Sequence, residues 1–167
     1  MKRLLITGSK GLIGSILMKR LKDEFELIGI DIKEIDDGKR HFKVDISDFK
    51  QLCNVFEKID RIDYIIHLAA DARVNADWQS ILKNNIIGTK NIYECARIYK
   101  VKKVIFASSN HVTGGYEGIP PRLHKLKNPP LIKVTDPIRP DSDYATSNLN
   151  LPVSRLKGDI GKANTSL

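Results

Sequence analysis

The sequence predicts an α/β protein built on a doubly wound parallel sheet, and the apolar pattern carries this prediction in two ways. Up to residue 108, short apolar runs typical of strands alternate with runs spaced for helices. Such alternation gives a parallel sheet with helices on both faces. Because parallel crossovers are right-handed, the expected strand order is 3-2-1-4-5.

The predicted elements follow one another with short connections. Strands are expected at Lys2–Thr7, Phe25–Ile30, His41–Val44, Ile62–Leu68 and Lys103–Ser108. Helices are expected at Gly11–Lys22, at residues 47–58 with Ser47 as N-cap, and at Asn84–Tyr99. The first helix should bury Leu12, Ile16, Leu17 and Leu21, and the second Phe49, Leu52, Val55, Phe56 and Ile59. The nearly continuous apolar run of the fourth strand predicts that it is covered on both faces.

The pattern changes after residue 110, where prolines and glycines interrupt any regular spacing. We expect a lid-like loop over about residues 112–141 and a short helix at Ser142–Asn150 that Pro152 ends. These elements make residues 1–150 one α/β domain. The tail, residues 151–167, has no apolar face and is expected to be poorly ordered.

Composition narrows the class of protein further. The chain has 167 residues, 41% of them hydrophobic, which fits one globular domain, and it has no apolar run long enough to span a membrane. Its start runs directly into a strand-like segment and does not resemble a signal peptide. Cys53 and Cys95 lack a CxxC partner and are interpreted as buried reduced thiols. These features predict a cytoplasmic protein without a membrane partner.

A net charge of +8 leaves nucleic-acid binding open as one interpretation. The basic residues are scattered over helices, strands and loops, however, and no aromatic residues lie between them. A solvated lysine-rich surface is therefore the favoured interpretation, and no nucleic-acid partner is expected.

A glycine-rich turn follows the first predicted strand and opens the first helix. Gly8 permits a tight turn, Gly11 lets the backbone approach a pyrophosphate, and Gly14 lets the helix lie close to the strand. The free amides at the helix start, including those of Leu12 and Ile13, favour an anion. The alternative is a structural glycine turn, but the strand, the helix and an acid downstream together favour a Rossmann-type dinucleotide site.

That acid is Asp31, at the end of the second strand. A carboxylate there accepts hydrogen bonds from the adenosine ribose and repels a 2′-phosphate, which favours NAD over NADP. Lys33 argues the other way because its ammonium group can bind a phosphate. The alternative role for Asp31 is a helix cap or a solvated turn acid.

Several segments resemble the extended short-chain dehydrogenase/reductase family, also called the NAD-dependent epimerase/dehydratase family. They are the turn at residues 7–14, Val-Asp-Ile at 44–46, His-Leu-Ala-Ala at 67–70, Asn-Ile-Ile-Gly-Thr at 85–89 and Phe-Ala-Ser-Ser-Asn-His-Val at 106–112. The Ser-Ser-Asn-His string is most similar to uronate dehydrogenases. The resemblance implies cofactor contacts from the glycine turn, Asp31, Asp45, Ile46, Leu68, Ala69, Ala70, Asn85 and Ser108.

The same resemblance assigns catalytic roles near the end of the matching region. Ser109 corresponds to the family's substrate-holding serine, and Tyr144 to its acid/base tyrosine. Asn148 stands where the family has lysine. An unperturbed tyrosine has a pKa of about 10, so only about 0.1% is phenolate at pH 7 without a neighbouring cation. Other roles stay open: a turn former for Ser109, a packed aromatic for Tyr144.

His111 is interpreted as a loop or packing histidine, because no metal-ligating residues lie at suitable spacing. No metal site is predicted.

Two functions remain as hypotheses. One is hydride transfer between NAD and a carbon of a sugar or sugar nucleotide, as in dehydrogenases, epimerases and dehydratases. The other is a truncated, non-catalytic nucleotide-binding module, because the family continues into a substrate-binding portion that this sequence lacks. Family dimers form through the Asn84–Tyr99 helix and the helix after the tyrosine. Pro152 cuts the second helix, so any homodimer is expected to be weakened.

Overall fold

A five-stranded parallel sheet forms the centre of the molecule. The computed structural model describes residues 1–33, 36–118, 120 and 122–149. The strands are β1 Lys2–Thr7, β2 Phe25–Asp31, β3 His41–Lys43, β4 Tyr64–His67 and β5 Lys103–Phe106. They lie in the order β3-β2-β1-β4-β5, and every neighbouring pair is parallel. The predicted fold class and strand order are therefore confirmed.

The helices connect these strands and continue beyond them. They are α1 Leu12–Arg20, α2 Phe49–Ile59, α3 Trp78–Ser80, α4 Gly88–Ile98, α5 Gly115–Gly118 and α6 Asp143–Ser147. A π-helical segment, Ile81–Ile87, joins α3 to α4, and short 3₁₀ turns form at Asn110–Thr113 and Leu123–Lys125. The expected lid-like loop therefore contains several single helical turns. The predicted tail lies outside the described residues.

Two apolar layers hold helices against the sheet. On one face, strand and helix side chains around Leu5, Ile65, Phe56 and Ile92 form the larger core beneath α2 and α4. On the other face, Leu4, Ile6 and Leu27 pack against α1 through Leu17, Met18 and Leu21. The alternation of Leu4, Leu5 and Ile6 between the two layers follows from the strand period of two.

The predicted buried face of α1 is wrong in its first half. Leu12 is 82% exposed and Ile16 is 49% exposed, whereas Leu17 and Leu21 pack against the sheet as expected. The helix starts at the edge of a cleft, so its first turn faces open space. Phe49, predicted to be buried in α2, is likewise 37% exposed.

The fourth strand is also less covered than its apolar sequence predicts. Ile65 is fully buried, but Tyr64 and Ile66, which point to the opposite face, are only half-buried. Ile105 in β5 shares that face and is 50% exposed. The helix on this side, α1, packs against β1 and leaves the β4–β5 part of the sheet partly open.

Two helix starts differ from the sequence prediction because other side chains provide the caps. Asp48, rather than Ser47, caps α2 and accepts a hydrogen bond from the Gln51 amide. Asp77 caps α3 by accepting a hydrogen bond from the Ser80 amide, so helical structure begins well before residue 84. The helix predicted at Ser142–Asn150 is shorter, Asp143–Ser147, and Ser142 caps it by accepting a hydrogen bond from the Ala145 amide.

No helix among the described residues is both long enough and apolar enough to cross a membrane.

A buried hydrogen-bond chain ties β1, β4 and α4 together. The Thr7 hydroxyl oxygen accepts hydrogen bonds from the amides of Leu68 and Ala69, so its own hydrogen is left for Nδ1 of His67 at 2.6 Å. The other ring nitrogen of His67 then carries the proton and donates to the Thr89 hydroxyl at 3.0 Å. This arrangement requires a neutral imidazole, and burial lowers the pKa of His67 from 6.5 to about 4.

We therefore expect acid to destabilise the fold through His67. The unfolded chain binds this proton below about pH 6.5, whereas the folded chain resists it until about pH 4, so stability is full above the first value and falls toward the second. The full difference corresponds to about 3 kcal/mol. Denaturant unfolding at about pH 7.5 and about pH 4.5 measures it. His67→Gln should reduce the loss of unfolding free energy between these two pH values, whereas the exposed control His124→Gln should leave that loss unchanged. An equal loss in the two variants would contradict the assignment.

Candidate functional site

A cleft of about 820 Å³ runs along the carboxyl ends of the strands. Its walls come from the loops after β1, β2, β3 and β4, the end of β5, the helices α1, α3 and α6, and the π-helical segment. The lining residues are those at 8, 10–14, 31–33, 44–46, 68–73, 80, 84, 107, 108, 144 and 148. The volume falls in the range of about 300–1,000 Å³ usual for small-molecule and cofactor sites.

The centre of the cleft is the glycine turn after β1. Gly8 has a φ of +70°, and a Cβ there would lie 3.0 Å from the Ala69 nitrogen. A Cβ on Gly14 would lie 2.1 Å from the carbonyl oxygen of Gly8, so only glycine lets α1 start directly on the turn. The amides at the start of α1 thus face the cleft, where a helix N-terminus favours an anion.

One end of the cleft is formed by the end of β2. Both carboxylate oxygens of Asp31 accept backbone hydrogen bonds, Oδ2 from the Lys10 amide at 3.0 Å and Oδ1 from the Lys33 amide at 2.9 Å. Asp31 therefore stabilises the turn beside it, as the structural alternative proposed. Each carboxylate oxygen has more than one lone pair, so Asp31 can still accept a hydrogen bond from a ligand hydroxyl.

Asp45 and Ile46 form the neighbouring wall. The carboxylate of Asp45 accepts hydrogen bonds from the amide and hydroxyl of Ser47 and pairs with the Lys83 ammonium at 2.9 Å. Burial alone would raise the pKa of Asp45, but the contacts with Ser47 and Lys83 outweigh it and lower the pKa. Asn91 fixes the backbone here by donating to the carbonyls of Ile46 and Ser47.

Beyond β4, the wall consists of Leu68, Ala69 and Ala70 and continues to Asp71. Asn85 does not line the cleft: it is buried, accepts a hydrogen bond from the Asp71 amide and donates to the Asp71 carbonyl and the Ser147 hydroxyl. It thereby joins the loop after β4 to α6. Its neighbour Asn84 faces the cleft instead.

The other end of the cleft contains Tyr144 and Asn148 on or beside α6. The side-chain amide of Asn148 donates to the Tyr144 carbonyl at 2.8 Å, and its backbone carbonyl accepts a hydrogen bond from the Ser108 hydroxyl at 3.1 Å. Asn148 is only 6% exposed, so its amide serves the local backbone.

Ser109 and His111 lie beside this end rather than in the wall of the cleft. The Ser109 hydroxyl accepts a hydrogen bond from the His111 amide and caps the 3₁₀ turn. This is the role of a turn former, the alternative that the sequence left open for this serine. The His111 ring contacts the Tyr144 ring edge-to-face at 5.9 Å and hydrogen-bonds Asp141 through Nδ1 at 2.7 Å. Burial would raise the pKa of Asp141, but the bonds from His111 and Ser142 lower it.

Among the described residues, no group of three or more His, Cys, Asp or Glu side chains is arranged to hold a metal ion.

The cleft fits a dinucleotide in shape and in chemistry. A cradle that a single Cβ would fill, a helix start beside it and a carboxylate at the end of β2 are the features that pyrophosphate and ribose require. The fold and site thus define a Rossmann-type dinucleotide-binding protein.

Sequence comparison makes this class more specific. The sequence model of the NAD dependent epimerase/dehydratase family matches residues 4–151. The chain therefore belongs to the NAD-dependent epimerase/dehydratase family, which confirms both the family resemblance and the expected cofactor.

Individual relatives agree with that assignment. Over 118 residues the chain is 35% identical to NAD-dependent glucose-6-phosphate dehydrogenase from Haloferax volcanii, a match covering 68% of the chain and 45% of the relative. It is also 35% identical over 147 residues to uronate dehydrogenase from Pseudomonas syringae pv. tomato, covering 87% and 50%. The structure of Thermus thermophilus UDP-glucose 4-epimerase with NAD superposes with a TM-score of 0.73 at 28% identity, covering 87% and 47%. The chain spans about half the length of these relatives.

Sequence reasoning missed several residues of the cleft, among them Lys10, Asp71, Arg73, Ser80 and Asn84. Asp71 and Arg73 could have been predicted from their position. They come just after residues 68–70 at the carboxyl end of the fourth strand, which is where ligands bind in this fold. Ser80 could not, because the sequence prediction started this helix only at Asn84. Nothing in the sequence pattern showed that Asn84 itself faces the cleft.

Replacing Gly14 by Ala should disrupt the turn. Alanine is normally favoured over glycine in a helix by at most about 1 kcal/mol, but here its methyl group meets the backbone of Gly8. We expect a net loss of about 1–3 kcal/mol in unfolding free energy and loss of nucleotide binding. Gly118→Ala is the matched control, since in the described part of the chain no atom other than those of its sequence neighbours lies within 4 Å of a Cβ there. Denaturant unfolding of both variants checks this, and equal stability would refute the close approach.

Proposed function

We propose that this chain is the NAD-binding half of an enzyme that transfers hydride at a carbon of a sugar or sugar nucleotide. One observation carries the proposal: a single cleft connects Asp31 at one end with Tyr144 at the other. The relatives, which include sugar dehydrogenases and a sugar-nucleotide epimerase, support this class of substrate.

Each part of the cleft then has a role toward the nucleotide. The amides of the Gly8–Gly14 turn hold the pyrophosphate, and Asp31 accepts hydrogen bonds from the adenosine ribose. Asp45 and Ile46 contact the adenine. The segment 68–70 and Ser108 line the half that holds the nicotinamide. NAD, when bound there, supplies the site at which hydride is gained or lost.

Tyr144 is the candidate acid/base, because its side chain lines the end of the cleft where the sugar must meet the nicotinamide. Ser109 is the candidate for orienting the sugar hydroxyl, although in this structure its own hydroxyl caps a turn. Asn148 cannot supply the positive charge of the family lysine. General acid/base assistance is worth about 10²–10⁴ in rate, and much of it depends on that charge.

A specific observation favours a second candidate function, a nucleotide-binding module without turnover. The Asn148 amide is used in a hydrogen bond to the Tyr144 carbonyl and is nearly buried. In that arrangement the residue supports the helix and contributes neither charge nor a proton.

We also propose a cytoplasmic location. Cys53 and Cys95 are both free thiols, which suits a reducing compartment. Burial raises the pKa of Cys95 to about 12, so this thiol stays protonated and unreactive.

Asp31 should make the chain prefer NAD to NADP. Its carboxylate accepts hydrogen bonds from ribose hydroxyls and repels a 2′-phosphate, so we expect NAD to bind at least about tenfold more tightly. Calorimetric titration with both nucleotides measures this. Asp31→Ala should narrow the gap, whereas Asp23→Ala, an exposed acid outside the cleft, should preserve it. Equal affinities in the unmodified chain, or tighter NADP, would overturn the role of Asp31.

The chain should bind NAD but show little or no turnover. Position 148 does not supply Tyr144 with an ammonium group. Asn148→Lys should tighten NAD binding modestly without restoring normal rates, since contacts that position the sugar are also needed. The variant Asn148→Met is the control for Asn148→Lys, because methionine is similar to lysine in length but carries no charge. NADH formation is followed with uronates and aldoses at neutral and alkaline pH. Robust turnover by the unmodified chain at about pH 7 would refute this prediction and indicate another base, with His111 as the nearest candidate.

A further inference from the structure

Arg73 is a cation on the cleft wall that the roles above leave unused. It follows the Leu68–Ala70 segment, and its side chain is 68% exposed. The other lysines and arginines lining the cleft are Lys10 and Lys33, which lie beside Asp31 at the adenosine end. Among the described lysines and arginines that line the cleft, Arg73 is thus the one that lies away from Asp31.

Its guanidinium group is held in one orientation by Asp71. Nε donates to Oδ1 at 2.9 Å, and one Nη donates to Oδ2 at 2.6 Å. Asp71 is in turn fixed by the Ser80 hydroxyl and, through its backbone, by the buried Asn85. A group held this firmly is already arranged for a ligand and loses little conformational freedom when one binds.

The Arg73 guanidinium still has N–H donors available for a ligand. A guanidinium group has five N–H donors, and Asp71 uses two of them. Among the described residues, the Arg73 side chain makes hydrogen bonds to Asp71 alone. Its planar fork matches the oxygens of a carboxylate or phosphate group.

We propose that Arg73 determines substrate choice by binding an anionic substituent, a carboxylate or a phosphate, on the sugar that enters this cleft. The assignment rests on the proposed function. The carboxylate of Asp71 does not cancel the attraction between Arg73 and this anionic substituent. A ligand on the open side of Arg73 lies closer to the guanidinium than to Asp71, and charge interactions weaken with distance. Neutral aldoses lack this contact.

A binding experiment on the full chain tests the assignment without requiring turnover. With NADH saturating and ionic strength fixed, the chain is titrated with glucuronate, glucose 6-phosphate and glucose, and NADH fluorescence reports binding. We expect one or both anionic sugars to bind about fivefold to tenfold more tightly than glucose. Which of the two binds better distinguishes a carboxylate from a phosphate.

Variants then show whether Arg73 is the cause of a preference for anionic sugars. Arg73→Ala should remove the preference for anions while leaving the Kd of NADH unchanged, and Arg73→Lys should restore part of it. Arg97→Ala is the matched control, because Arg97 forms a similar exposed forked pair with Glu94 away from the cleft, and it should keep the preference. Thermal melting checks that each variant is folded.

Two results would overturn the assignment while leaving the proposed function intact. One is NADH binding without a preference for anionic sugars, including no detectable binding of any sugar. The other is an equal loss of NADH affinity in Arg73→Ala, which would make Arg73 a cofactor contact. Failure of the unmodified chain to bind NADH would instead overturn the proposed function together with this assignment.

Discussion

The contact between Gly14 and the carbonyl of Gly8 is the constraint on which the rest of the site depends. It lets α1 begin one short turn after β1 ends, so that the free amides of the helix start open into the cleft. The same approach leaves Leu12 and Ile13 exposed at the mouth of the cleft, where a globular helix would normally bury such residues. Under the proposed function, these exposed apolar side chains form part of the nucleotide-binding surface.

Hydrogen bonds to Thr7, the last residue of β1, also position the end of the neighbouring strand β4. One hydroxyl group fixes the amides of Leu68 and Ala69, and through His67 it reaches the start of α4. The end of β4, which would face the nicotinamide, is therefore positioned by the same residue that precedes the glycine turn. A buried and fully used network of this kind allows few alternative arrangements.

Charge is distributed unevenly along the cleft. At the adenosine end, Asp31 and Asp45 are engaged by backbone amides, a hydroxyl group and Lys83. At the other end, Asp71 is the acid that lines the cleft, and Arg73 holds its pKa well below the usual range. Under the proposed function, the first end would bind the ribose hydroxyl groups and the adenine, and the second end would bind the sugar.

Much of the fold could be predicted from the sequence because it depends on local patterns. Strand order, the glycine turn and the presence of a short helix after Ser142 follow from apolar spacing and turn chemistry. The buried face of α1 was predicted wrongly, because periodicity does not show which turn of a helix borders a cleft. Asn85 and Ser109 were placed near the site by motif alone, and their side chains turned out to bond to neighbouring loops.

The side chains that the sequence did not reveal act through tertiary contacts. Asp71 and Ser80 are nine residues apart and meet only because α3 returns to the loop after β4. The pairing of His111 with Asp141 joins residues separated by thirty positions. No local pattern encodes such contacts, so they become visible only when the sheet and helices are assembled.

The central claim, that this cleft holds NAD, is tested most directly by amide hydrogen exchange of the full chain with and without the nucleotide. We predict slower exchange on adding NAD at residues 8–14, 44–46 and 68–72, with little change in α2, which lies against the sheet away from the cleft. Unchanged exchange in all three segments at saturating NAD, or protection confined to other parts of the chain, would contradict the account.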